Sequence, residues 1–388
     1  MKKLVIVLFC LLLVTGCWDR RELTEIGIVS ALAIDKNPDT GDFEITSLFI
    51  RPSAESTQTP SPERPFLLVT TTGKTIIEAI RKSSQTTDRE GFFAHNKVII
   101  INEQIAKEGL IPVMDTFQRG KDIRGYVWLC IAKGTEAKNV LQIKSDNISR
   151  IPANYLNSLI ENAEEEAAKI NFLTYNKEAL SEEKDPVAGV LSIEKIEKEP
   201  FERVKFSGGA VFQKDKLKGF LTERETRGYH FVTGEGPANQ GVISLPSVLE
   251  KGKFVTIEVR NVTSQIKPEV KGNQISFTIE VKQEGRIAEQ QATGQFKDRK
   301  EQVDYFRKIE EENKKRIEEE VNLVVKKAQQ EFQTDIFGFG RALNKDYPDV
   351  WNNVKDNWDE RFADVPYTVN ANVDITSSLL LQGPLEPK

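Results

Sequence analysis

The chain has 388 residues, with 54 basic and 59 acidic side chains and a net charge of −5, a length that supports two or three hydrophobic cores. The mild acidic excess argues against a nucleic-acid surface, which needs a basic patch or stripe. Two histidines and three cysteines leave little material for a metal site or a disulfide framework.

The first element is a leader. Met1-Lys2-Lys3 precedes an unbroken apolar run from Leu4 to Val14, and Thr15-Gly16-Cys17 follows it. A charged start, a short apolar centre and a small-residue exit have the form of an export signal, too short to span a bilayer comfortably. Val14-Thr15-Gly16-Cys17 resembles a bacterial lipobox, in which Cys17 receives a diacylglyceryl group on sulfur and becomes the mature N-terminus. Residues 1–16 are then a signal peptide, and the remaining chain carries 52 basic against 59 acidic side chains, net −7. Two acyl chains hold a domain where one is marginal, each buried methylene contributing roughly 0.8 kcal/mol. Every later apolar run is short and broken by charge, so no transmembrane span is expected in the mature chain.

An N-terminal α/β domain is expected over residues 17–145. Ile26, Ile28, Leu32 and Ile34 alternate, Lys36 to Asp42 supply turn residues, and Phe43 to Ile50 alternate again, which reads as a hairpin. Residues 51–65, rich in Pro, Ser, Thr and Glu, read as a mobile loop. Strand and helix then alternate three times: Phe66–Thr72 with Thr75–Thr86, Val98–Ile101 with Glu103–Phe117, and Tyr126–Ala132 with Thr135–Ile143. That order implies a mixed sheet with helices against it.

A middle α+β domain is expected over 146–245. Pro152 to Ala168 reads as a helix with Glu164-Glu165-Glu166 on a solvated face, and Val204–Phe212 with Lys216–Leu221 as a hairpin. Thr222 and Glu225 have capping-box spacing, and the Gly-rich stretch Gly234 to Pro237 reads as a linker.

The C-terminal domain, 246–388, opens with strands Phe254–Val262 and Gln274–Lys282. A long helix over 297–332 places Val303, Phe306, Ile309, Ile317, Val321, Val324, Ala328 and Phe332 on one stripe. Its other face sets Glu310 to Glu312 four residues before Lys314 to Arg316, at about 0.2–0.5 kcal/mol per pair. An aromatic helix following Pro348, over 348–362, which stacks Tyr347, Trp351, Val354, Trp358 and Phe362, and a terminal strand over 367–376 complete it. The whole reads as α+β, three mixed domains after a lipoprotein signal peptide.

No constellation suited to catalysis emerges. His95 and His230 lie in different regions without ligand-spaced partners, and Cys130 sits in an apolar strand. Thr72-Gly73-Lys74-Thr75 has Leu68 where a phosphate loop needs glycine, so it reads as a helix start. Gly338-Phe339-Gly340 has Leu343 in place of the third glycine of a dinucleotide loop and reads as a sharp turn between helices. No catalytic, metal or cofactor-binding residue is assigned.

The mature start Cys17-Trp18-Asp19-Arg20-Arg21-Glu22-Leu23, leading into Ile26-Gly27-Ile28-Val29 and Ile34-Asp35-Lys36, resembles the Ger(x)C spore germination lipoproteins. These are the C subunits of GerA-type nutrient germinant receptors. Gly209-Ala210-Val211-Phe212, Asp215-Lys216-Leu217, Glu225-Thr226-Arg227-Gly228 and Asp335-Ile336-Phe337-Gly338-Phe339-Gly340 agree, as do Tyr347-Pro348, Trp351 and Lys355 to Trp358. The resemblance implies a non-enzymatic protein held by lipid on Cys17 at the outer face of the spore inner membrane. It implies partners too: multi-spanning A and B subunits, the B subunit being the favoured nutrient binder. Trp18, Asp19, Arg20, Arg21 and Glu22 read equally as a partner-facing segment or a membrane-proximal tether. The alternative is a free-standing extracytoplasmic solute-binding lipoprotein, although three unlike regions without a repeat differ from two similar lobes around a cleft.

Overall fold

The computed structural model describes residues 25–51, 64–120, 124–143, 149–163, 165–195, 202–234, 241–293 and 296–376. Cys17 and Trp18 to Glu22 lie outside them, as does most of the 51–65 loop. Helices and two sheets mix in an α+β architecture.

The first sheet has nine strands. It contains β1 (Ile26–Lys36), β2 (Phe43–Ile50), β3 (Phe66–Gly73), β4 (Glu90–Phe92), β5 (Val98–Asn102), β6 (Trp128–Ala132), β7 (Val187–Lys195), β8 (Glu202–Gln213) and β9 (Lys216–Leu221). Their order is β3-β2-β1-β5-β6-β7-β8-β9, with the short β4 beside β1. The centre, β1, β5, β6 and β7, is parallel, and antiparallel hairpins flank it. Helices α1 (Ile76–Lys82), α2 (Glu103–Glu108), α3 (Ile111–Arg119) and α6 (Phe172–Ala179) cover one face; α4 (Ala137–Gln142) and α5 (Pro152–Glu161) cover the other. A strand covered on both faces is apolar throughout, hence the unbroken Val98-Ile99-Ile100-Ile101.

The expected boundary near residue 145 is corrected by this sheet. β6 and β7 stand on either side of it in sequence and pair directly, Ile131 opposite Val190. The missed piece was β7 with α6: Val187-Ala188-Gly189 is interrupted by a glycine because Phe206 lies where a Cβ would project, at 2.5 Å. Two further helices are shorter than expected. Gly109, at φ +125°, and Pro112 divide Glu103–Phe117 into α2 and α3, and the helix from Pro152 stops at Glu161.

The second sheet, β10 (Val242–Pro246), β11 (Phe254–Lys271), β12 (Gln274–Gln290) and β13 (Tyr367–Thr376), packs against α7 (Glu223–Thr233) and α8 (Arg299–Lys327). A π turn, Ala328–Phe332, extends α8. Ile309, Ile317, Val321, Val324 and Phe332 are buried as expected, but Val303 is exposed and Tyr305 takes the inward position. The aromatic stretch forms two helices, α10 (Pro348–Val354) and α11 (Trp358–Asp364), after α9 (Phe339–Asp346). Trp351, Val354, Trp358 and Phe362 are buried as expected, but Tyr347 is exposed, since it precedes α10 and closes the end of α9.

The acidic face of α8 does something the helix-pairing reading missed. Glu310 accepts the Ile375 N–H at 3.0 Å and Glu318 the Ala371 N–H at 3.3 Å, so two carboxylates cap the outer edge of β13. An uncapped edge strand is a template for pairing with another chain. Lys315 pairs with Glu312 at 2.8 Å, one residue closer than expected, and Arg316 turns the other way, to Glu320.

Candidate functional site

The motifs that single this sequence out converge where the two sheets' layers meet. Thr222 caps α7: its Oγ1 accepts the Glu225 N–H at 3.4 Å and Glu225 Oε2 accepts the Thr222 N–H at 2.7 Å. Lys327 of α8 donates to the same carboxylate at 2.9 Å. Burial pushes the Glu225 carboxyl up, but the Thr222 amide and Lys327 outweigh it and hold the group below the usual range.

One turn on, Arg227 grips Glu320 of α8 with two bonds, Nε at 2.7 Å and Nη2 at 2.6 Å. Glu320 is fully buried, with Arg224 at 3.4 Å and Arg316 at 2.7 Å completing its surround. Glu165 and Glu166 stand 3.9 and 3.4 Å from Arg227, and Glu165 is buried, so this part of the acidic run is not a solvated face. A Cβ on Gly228 would stand 2.3 Å from the Glu320 carbonyl oxygen, so the glycine is what lets α7 and α8 cross this closely. Glu225-Thr226-Arg227-Gly228 is therefore a helix–helix lock.

The second lock is Asp335. Its Oδ1 accepts the N–H groups of Phe337 (3.1 Å), Gly338 (2.8 Å) and Phe339 (3.1 Å); its Oδ2 accepts Gly340 N–H (2.7 Å) and the Trp358 indole N–H (3.0 Å). Burial raises its pKa above the ordinary carboxylate range, and the bonds from Gly340, Trp358, Gly338 and Phe339, Gly340 foremost, oppose that shift. Gly338 turns at φ +89°, and a Cβ on Gly340 would stand 2.8 Å from Trp351 and 2.9 Å from Trp358 Nε1. The glycine pair thus makes the sharp turn expected from sequence and seats two tryptophans packed edge to face, their ring centres 5.4 Å apart.

The Asp335 carbonyl accepts the Asp185 N–H at 2.9 Å, and Asp185 Oδ1 accepts the N–H of Lys214 at 2.6 Å, in the turn between β8 and β9. Burial, with Asp359 and Asp335 nearby, pushes the Asp185 carboxyl up to about 7. Lys184 and Glu178 form a buried ion pair at 2.9 Å beside it. A polar groove of about 740 Å³ opens at this junction, lined by Glu182, Lys214, Lys218, Gln333, Lys355 and Asp359 among others. Lys214 (φ +56°) and Gln333 (φ +52°) are the non-glycine residues with positive φ among the described residues, and both line the groove.

A second cavity of about 590 Å³ lies beyond the carboxyl ends of β6 and β7, lined by Lys133, Thr135, Asn139, Gln142 and Lys195. Asp35, at the end of β1, is buried next to it in the fold and holds α4: it accepts Ala137 N–H at 2.7 Å, Lys138 N–H at 2.8 Å and Asn102 Nδ2 at 3.0 Å. The Ile34-Asp35-Lys36 signature is thus a helix cap across a strand end.

Cys130 is buried, which pushes its thiol up and away from nucleophilic use. His230 is buried with a ring nitrogen 3.1 Å from the Ala167 carbonyl oxygen, and His95 lies against Phe92, ring centres 5.7 Å apart. Among the described residues no group of three or more His, Cys, Asp or Glu is placed to hold a metal ion. What these residues accomplish is to fix one layer against another and frame two polar cavities.

Comparison with known proteins follows the same chain. A model of the spore germination protein N-terminal domain matches residues 19–193, and a model of the spore germination B3/GerAC-like C-terminal domain matches residues 207–378. Spore germination protein YndF of Bacillus subtilis (strain 168) is 28% identical, covering 96% of this chain and 95% of that protein. Spore germination proteins KC and B3 of the same organism are each 27% identical, covering 98% and 97%, and 96% and 96%, of the two chains. The crystal structure of the GerBC protein has a similar fold, with a TM-score of 0.53, 21% identity, and coverage of 89% of this chain and 96% of that one.

Proposed function

The chain belongs to the Ger(x)C spore germination family, and from that premise we propose that it is the C subunit of a nutrient germinant receptor, attached by diacylglyceryl on Cys17 to the outer face of the spore inner membrane. A role in spore germination follows from the family itself. The finer reading, a non-enzymatic subunit that docks on multi-spanning A and B subunits, is supported by how the signature residues are used. Glu225 to Gly228 and Asp335 to Gly340 are occupied with internal locks, and nothing about them resembles a reaction centre. Among the described residues no helix is long and apolar enough to cross a membrane, so attachment on this reading falls to Cys17.

The observation that carries the proposal is the match of two germination-family models over nearly the whole chain, beginning two residues after the lipobox cysteine. Spore membranes from cells carrying Cys17→Ala, fractionated and blotted, test the anchor. Release of the variant into the soluble fraction with a reduced nutrient response is expected. Unchanged retention together with an unchanged response contradicts the role of the lipid.

A further inference from the structure

The parallel strands β1, β5 and β6 start toward the same end of the first sheet, Val98 and Trp128 standing level with each other and with Ala31, five residues into β1. Eight residues, Trp18 to Glu25, separate Cys17 from β1. Even fully extended they reach about 30 Å. The opposite end of β1 is 11 residues away, roughly 36 Å farther. A bilayer holding the lipid on Cys17 therefore lies closest to the edge from which the tether leaves.

The chemistry of that edge fits a membrane surface. Arg89 lies beside the tether's exit, its Cβ 3.4 Å from where a Cβ on Gly27 would stand. Arg124 and Tyr126 precede β6, and both are exposed, Tyr126 by 79%. Leu173, 53% exposed, is held against them by its N–H bond to the Gly125 carbonyl at 2.8 Å. Tyrosine and arginine together are the side chains that settle at the headgroup level, the ring amphipathic and the cation drawn to anionic lipid.

We propose that this edge, with Tyr126, Leu173, Arg89 and Arg124 foremost, seats on an anionic phospholipid surface and so fixes the orientation of the protein on the membrane. The proposal rests on the lipidation of Cys17. Its consequence is directional: the Asn37–Asp42 turn and the cavity beyond the carboxyl ends of β6 and β7 face away from the bilayer.

The test uses the full lipidated chain in vesicles of mixed phosphatidylcholine and phosphatidylglycerol that contain spin-labelled quencher lipid. A fluorophore is attached at Tyr126→Cys in one sample and at the exposed Asp39→Cys, in the opposite turn, in another; Cys130 is buried and does not compete. Flotation is read first. Failure of the unsubstituted chain to float overturns the lipidation and this orientation with it. Given flotation, quenching several-fold stronger at position 126 than at 39 is expected, and Arg89→Glu with Arg124→Glu should shrink that contrast while flotation persists. Equal quenching at the two positions, or stronger quenching at 39, overturns the orientation and leaves the lipid anchor standing.

Discussion

Replacing Asp335 by Asn changes almost nothing in shape and removes one of the structure's central anchors. The carboxylate takes five N–H donors, three on Oδ1 and two on Oδ2, in a site closed to solvent. An amide can keep its oxygen toward only one set. With that oxygen on the three-donor side, its own N–H₂ confronts Gly340 N–H and the Trp358 indole N–H, so two bonds to a charged acceptor are lost. At about 1.5–3 kcal/mol each the loss is roughly 3–6 kcal/mol, reduced because a buried charge has also been removed. A net destabilisation of about 3 kcal/mol is expected, and more for Asp335→Ala, which leaves all five donors without a partner. The assay is urea unfolding of the mature chain carrying Cys17→Ala, followed by tryptophan fluorescence, with Asp356→Asn as an exposed control within about 0.5 kcal/mol of the parent. A loss below about 1 kcal/mol for Asp335→Asn would refute the idea that this carboxylate holds the turn.

Other consequences follow from the same contacts. Glu320→Ala takes from Arg227 its two-bond partner, leaving only the longer contacts to Glu166 and Glu165, and should lower stability by about 3 kcal/mol, whereas the double change Arg227→Met with Glu320→Leu should recover part of it; a double-mutant cycle in urea checks both. Gly228→Ala drives a methyl against the Glu320 carbonyl and should cost about 2 kcal/mol or more, although alanine is the better helix former; equal or raised thermal stability would contradict the close crossing. Asp185 has its native pKa raised to about 7, above its unfolded value near 3.8, so the native state binds the proton more tightly and stability falls as pH rises from about 4 to about 7. The stability difference between parent and Asp185→Asn should therefore shift by one to a few kcal/mol over that window, in favour of the variant at the higher pH, and a flat difference contradicts the shift. Glu310→Ala with Glu318→Ala should speed amide hydrogen exchange at Ile375 and Ala371 while leaving the paired strands β11 and β12 protected.

Elements whose signal is local were legible in sequence. Alternation located β1, β2, β8 and β9, the apolar stripe located α8, and Thr222 with Glu225 announced the start of α7. Sheet order was not legible, because nothing in Val187 to Lys195 says that it will pair with β6 across more than fifty intervening residues. The locks were half visible. Gly338 and Gly340 mark a turn on sequence alone, but that Asp335 would collect their N–H groups depends on a fold-back that spacing does not encode. Glu320 ends the acidic run Glu318 to Glu320, which by spacing alone has basic neighbours only on its own helix; the arrival of Arg227 from α7 gives it a buried partner. Glu310 and Glu318 likewise found β13 and not the lysines of their own helix, since backbone N–H groups on an open edge offer acceptors a nearby tertiary partner.

The central claim, that this chain works as one subunit of a membrane receptor, is tested most directly by its company. A tagged chain, lightly crosslinked in membranes of sporulating cells, is purified and the proteins that come with it are identified by mass spectrometry. Recovery of two multi-spanning proteins, one resembling a transporter, is the expected result. Recovery of the chain alone, under crosslinking that captures a known membrane complex in the same sample, contradicts the claim and points to a lipoprotein that acts by itself.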